Sequence, residues 1–103
     1  MSDLKKSTAE SLRELNKLHN SLPAGDEKNY VYERILDLAD QEKAVRDATL
    51  DERIDEYKVA ANAVEEANTA IKEAQKNISK VSEAINKVAK AVNLIGKLLA
   101  AIS

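Results

Sequence analysis

The sequence predicts an all-α fold: an antiparallel helical bundle or coiled coil of three helices, or of four if the long C-terminal helix breaks near residues 75–80. Three observations lead there. The apolar residues are almost entirely Ala, Val, Ile and Leu; Tyr30, Tyr32 and Tyr57 are the only aromatics, and Phe, Trp and Cys are absent. A core without aromatic bulk suits packed helices better than a mixed sheet. Apolar positions recur at helical spacing over most of the chain, and every seven residues in its latter half. Chain breakers are few, with one Pro and two Gly. A chain of 103 residues is one domain long, so a single helical domain is expected over 1–103.

The first helix is expected over residues 3–22. Leu4, Thr8, Leu12, Leu15, Leu18 and Leu22 fall near one side, while Lys5, Lys6, Arg13, Glu14 and Lys17 lie elsewhere. It ends at Leu22-Pro23-Ala24-Gly25. Pro23 disfavours helical geometry at Leu22, and Gly25 can take the positive φ of a turn over residues 23–25.

A second helix is expected over 26–47, with Asp26 and Glu27 in its first turn, where the helix dipole favours them. It carries two apolar stripes. Val31, Ile35, Leu38 and Val45 form one; Tyr32, Leu36 and Ala39 form another, rotated by more than a quarter turn. Two apolar faces imply two sets of neighbours, so the helix is expected either to be central in the bundle or to offer a partner site, with Tyr32 and Leu36 as the candidates. Glu42 falls within the apolar arc and is expected to pair with a Lys or Arg.

The third helix is expected over 50–102. Thr49-Leu50-Asp51-Glu52 has the pattern of a capping box at its start. Counting by sevens gives Tyr57, Val64, Ile71, Ile78, Ile85, Val92 and Leu99, with Ala60, Ala67, Ala74, Val81, Val88, Ile95 and Ile102 as companions. The phase is unbroken, which favours one helix of about 80 Å at 1.5 Å per residue. Its first half is lined by Ala and invites close approach by another helix; its second half is bulkier. The change falls near residues 74–81, and Asn77, Ser79 and Ser82 are weak helix formers. A break there yields four helices of similar length.

Charge is segregated although the net charge is only −2. Residues 26–73 hold seven basic and fourteen acidic groups; residues 76–103 hold Lys76, Lys80, Lys87, Lys90 and Lys97 against Glu83. The basic C-terminal stretch is therefore expected to lie beside the acidic middle.

The sequence offers little for catalysis. His19 stands alone, on the flank of the first apolar stripe, where a core-edge histidine is the better reading than a metal ligand or triad member. Asp51, Glu52, Asp55 and Glu56 lack the Glu-x-x-His partners of di-metal bundles and read as a solvated helix start. Gly25 and Gly96 form no phosphate loop, and Asn77-Ile78-Ser79 is an incidental glycosylation pattern within a heptad. No catalytic residue, metal or cofactor is expected. So sparse a basic face does not favour nucleic acid as a partner.

The expected function is a non-enzymatic structural or protein-interaction module. Ile78, Val81, Ile85, Val88, Val92, Ile95 and Leu99 would form a seam for a second copy or a helical partner, with Tyr32 and Leu36 as a second surface. The alternative is membrane-surface binding through the C-terminal helix, where Lys87, Lys90 and Lys97 border a wide apolar face. With no signal-like start, no membrane-length apolar run and no Cys, the cytoplasm is the default location, with a peripheral membrane position as the alternative.

Overall fold

The computed structural model describes residues 3–103, so the first two residues of the expected domain lie outside the described residues. Four helices follow one another among these residues: α1 (Leu4–Ser21), α2 (Asp26–Asp47), α3 (Asp55–Lys76) and α4 (Val81–Ile102), with a short 3-10 turn, Ile78–Lys80, before the last. No strand is present among them. They pack as a helical bundle.

Each helix begins and ends for a local reason. Asp3 caps α1 by accepting from the amides of Lys5 and Lys6, at 3.1 and 3.3 Å. Leu22, extended before Pro23, ends it, and Gly25 takes φ 154° to turn the chain into α2. The core stripe of α2 is the expected one, with Val31, Ile35, Leu38 and Val45 all buried. Glu42 meets Arg46 at 3.7 Å.

Residues 48–54 are not the start of a helix, and Thr49 caps nothing. The Asp51 carboxylate instead accepts from the Arg53 amide at 2.9 Å and from its guanidinium at 3.0 Å. This local bond competes with helical geometry, so α3 begins at Asp55 rather than near residue 50.

The long rod expected over 50–102 breaks at Asn77. Its backbone leaves the helix at φ −144°, ψ 107°, and its side-chain oxygen accepts from the amide and hydroxyl of Ser79 at 3.1 and 2.8 Å. The chain therefore folds back, and the longest dimension of the molecule is 40 Å, half the length of a continuous rod. The unbroken heptad count conceals a change of face. In α3 the buried series are Tyr57/Val64/Ile71 and Ala60/Ala67/Ala74. In α4 they are Val81/Val88/Ile95 and Ala84/Ala91/Leu98. One series runs through both helices while its companion moves to the other flank.

The arrangement is two helical hairpins laid side by side. Within each, the helices are antiparallel: the Lys5 amine donates to the carbonyls of Arg46 and Ala48, and Lys87 of α4 approaches Glu66 of α3. Between hairpins the neighbours run parallel, since Leu4 meets Tyr57, Glu10 meets Lys72 and Glu14 meets Gln75. α1 packs on α2 and α3, and α4 packs on the same two, so residues 48–54 cross a diagonal at one end. The basic α4 thus lies between α2 and α3, as the charge segregation implies.

One polar contact is built into the α1/α3 interface. Ser11 Oγ donates to Asn68 Oδ1, both residues being buried, and Asn68 Nδ2 donates to the Ser7 carbonyl at 3.3 Å. A satisfied buried amide of this kind fixes the register of two helices better than apolar packing does.

Gly96 lies where Gln41 crosses from α2 to donate to the Val92 carbonyl at 3.3 Å. A Cβ at Gly96 would stand 3.4 Å from the Gln41 amide nitrogen, in ordinary contact. Gly96→Ala is therefore expected to stabilise the protein by about 0.5–1 kcal/mol through helix propensity and a less flexible unfolded chain. Thermal unfolding should show a higher midpoint; a lower one would mean that Gln41 cannot accommodate the methyl group.

Candidate interaction surface

The seam expected to join chains is closed within the chain. Val81, Val88 and Ile95 are at most 1% exposed, and Ala84, Ala91 and Leu98 are as deeply buried. Ile85, Val92 and Leu99 are half-buried, while Ile78 projects from the 3-10 turn. Most of the strip offered as a seam for another chain is thus covered by this chain's own helices. The break at Asn77 returns α4 onto α3, and α2 covers its remaining flank. The apolar side that would enter a membrane interface faces inward too, so lipid contact through it requires α4 to leave the bundle. No helix among the described residues is long and apolar enough to cross a membrane.

What remains open lies elsewhere. Five large apolar residues are well exposed: Tyr30, Tyr32, Leu36, Val59 and Ile78. Three belong to α2, and Tyr32 and Leu36 are four residues apart, on the flank towards α1. Tyr32 and Leu36 are half exposed, at 51% and 50%. The α1 side of this groove carries half-buried Leu12 and His19, whose ring lies 5.8 Å from that of Tyr32 at an angle of 44°. The second apolar stripe of α2 thus faces outward, not into a central position in the bundle. His19 sits at the core edge, with Nδ1 3.4 Å from Asn20 Oδ1.

Two charged ridges border the groove. Lys6, Arg13 and Lys17 are exposed along the outer side of α1; Glu33, Asp40 and Asp47 are exposed along that of α2, with the exposed Lys43 between the last two. Lys17 meets Glu14 at 3.1 Å and Glu33 meets Arg34 at 3.9 Å. Among the described residues, Arg13 and Asp40 take part in no ion pair. Sequence reasoning did not single out these ridges, although seven-residue spacing joins Lys6 to Arg13 and links Glu33, Asp40 and Asp47.

An open cleft of about 820 Å³ lies at the end of the bundle where the diagonal crossing runs, lined by Asp3, Lys5, Asp51, Arg53 and Tyr57 among others. Its polar groups hold the fold. Lys5 occupies the carbonyls that end α2, and Asp51 binds Arg53, whose guanidinium keeps the Asp51 carboxyl below its ordinary pKa. The Tyr57 hydroxyl accepts from the Leu4 amide at 3.0 Å and reaches Glu52 at 3.4 Å. A smaller apolar notch is formed by Val59 and Leu94 between Asp55, Glu56 and Lys97. No group of three or more potential metal-ligating side chains is gathered among the described residues.

Compared with protein-family models, with curated proteins and with solved structures, the chain matches none.

Proposed function

We propose that this chain is a non-enzymatic helical interaction module that docks through the α1/α2 face, with Tyr32 and Leu36 at the centre of the contact. The observation that carries this reading is the half-exposure of Tyr32 and Leu36 one turn apart on one flank of α2, whereas the other well-exposed apolar residues, Tyr30, Val59 and Ile78, have no exposed apolar neighbour one turn away. Full burial of such a side chain contributes about 1.5–3 kcal/mol, and covering the exposed half of each supplies about half of that, which favours association. Tyr also brings a large rigid surface at low conformational entropy, which suits it to interfaces. The polar side chains in the end cleft are engaged in capping helices and anchoring the crossing, which favours a structural role for them over an acid–base one.

Replacement of Leu36 by a photoreactive aliphatic amino acid tests the proposal in cells that make the protein. Crosslinks should form from position 36 and disappear when Tyr32→Ser is added. The same probe at Lys90, on the outer side of α4, should give few. Equal yields at the two positions, or none from position 36, would remove the support for a docking face here.

A further inference from the structure

Resting on that docking face, we infer that its occupant is a second copy of this chain, related by a two-fold axis parallel to the helices. The argument is one of charge register. Within one chain Lys5 lies level with Arg46 and Ala48, and His19 with Tyr32. Lys6 is therefore level with Asp47, Arg13 with Asp40, and Lys17 with the turn that holds Glu33. All six are exposed.

A face with a basic ridge on one side and, on the other, a ridge that stays net acidic although Lys43 interrupts it can meet its own copy in two symmetric ways. An axis across the helices sets α1 on α1 and places basic on basic. An axis along them sets α1 of one copy on α2 of the other, antiparallel and at the same height. Lys6 then opposes Asp47 of the other copy and Arg13 opposes Asp40, twice over by symmetry. The groove containing Tyr32 and Leu36 falls on the axis and meets its equivalent. The charge pattern selects the second arrangement, because like charges set face to face are strongly unfavourable and opposed ones guide encounter.

A hairpin face of this length, about 27 Å for α1 at 1.5 Å per residue, and two helices wide covers roughly 600 Å² per copy, near the lower end of specific interfaces.

Sedimentation equilibrium on the full chain tests the inference. The wild type should dimerise, and less so at high salt. Lys6→Glu/Arg13→Glu and Asp40→Lys/Asp47→Lys should each remain folded by circular dichroism, since all four residues are exposed. Lys6→Glu gains at a helix N-terminus, and Asp47→Lys gains at a helix C-terminus. Each double variant alone should dimerise at least about 100-fold more weakly. Mixed together they should form a one-to-one dimer, and the variant carrying all four changes should dimerise with itself. A wild type that stays monomeric at near-millimolar concentration overturns the inference, as does dimerisation untouched by either double variant or a mixture that fails to pair. If the probe at position 36 crosslinks only to a different protein, self-pairing falls while the docking face stands. If it crosslinks to nothing, both fall.

Discussion

Ile95→Ala is expected to lower the unfolding free energy by about 2–5 kcal/mol, by the same increment at micromolar and at near-millimolar protein. Ile95 is completely buried, in line with Val81 and Val88 and beside the Leu98 layer, so the truncation leaves a cavity inside one chain. Were Ile95 instead part of an intermolecular seam, as its heptad position alone suggests, the loss would depend on concentration, largest where the chain is associated and shrinking on dilution as both proteins become monomeric. Ile78→Ala supplies the contrast. Ile78 belongs to the companion heptad series but is 53% exposed on the 3-10 turn, and its truncation should change stability by no more than about 0.5 kcal/mol. Urea unfolding of both variants at two protein concentrations decides the matter. A concentration-dependent increment at Ile95, or equal losses at the two sites, would mean that the chain does not close its own core.

The same pair shows how far the sequence could be read. Helical class, the end of α1 at Leu22-Pro23 and the core stripes of α1 and α2 follow from local spacing and turn chemistry, and the structure places them there. The break at Asn77 was harder to see. Heptad phase records only that residues seven apart share a side of a helix. It is silent when a four-residue turn lets one series continue while its companion passes from Ile78, Ile85 and Val92 to Ala84, Ala91 and Leu98. The signal was present in that Ala/Ala/Leu series and in Asn77-x-Ser79, whose side chains form a local turn. Thr49-x-x-Glu52 misled for the opposite reason. A capping pattern states what a helix start would use, not that the chain can begin a helix while it crosses the bundle diagonal.

Partner surfaces are less legible still. Tyr32 and Leu36 are visible as a second stripe, but periodicity cannot say whether such a stripe faces a neighbour or water. That depends on which helices become adjacent, set by the diagonal crossing and by the polar contact of Ser11 with Asn68. With α1 and α4 on opposite corners, α2 has only two neighbours, and its stripe towards the outer α1 groove is left half-covered. The interaction surface is thus a consequence of topology, and topology is held by a few side-chain contacts between residues distant in sequence.

Tyr57→Phe should show how much one such contact contributes. The Tyr57 hydroxyl accepts the amide hydrogen of Leu4, a residue with no exposed surface, and so satisfies a donor in the first turn of α1. Phe keeps the ring and removes the acceptor. Leaving a buried amide unpaired costs about 1–3 kcal/mol, and because the bond ties α1 to α3 the loss should also speed hydrogen exchange in the first turn of α1. The same site carries a pH signature. Burial raises the pKa of Tyr57; Glu52 and Asp3 push it the same way, and the Leu4 hydrogen bond partly opposes them. The neutral phenol is therefore favoured in the folded state. Its contribution is present in full below the unfolded value of about 10 and is lost as pH climbs through the higher folded value. Stability measured against pH should show the advantage of wild type over Tyr57→Phe constant near neutrality and narrowing above about pH 10. An advantage that stayed level or widened there would mean that Tyr57 ionises at least as readily in the fold as in the open chain, so that burial does not hold its phenol neutral.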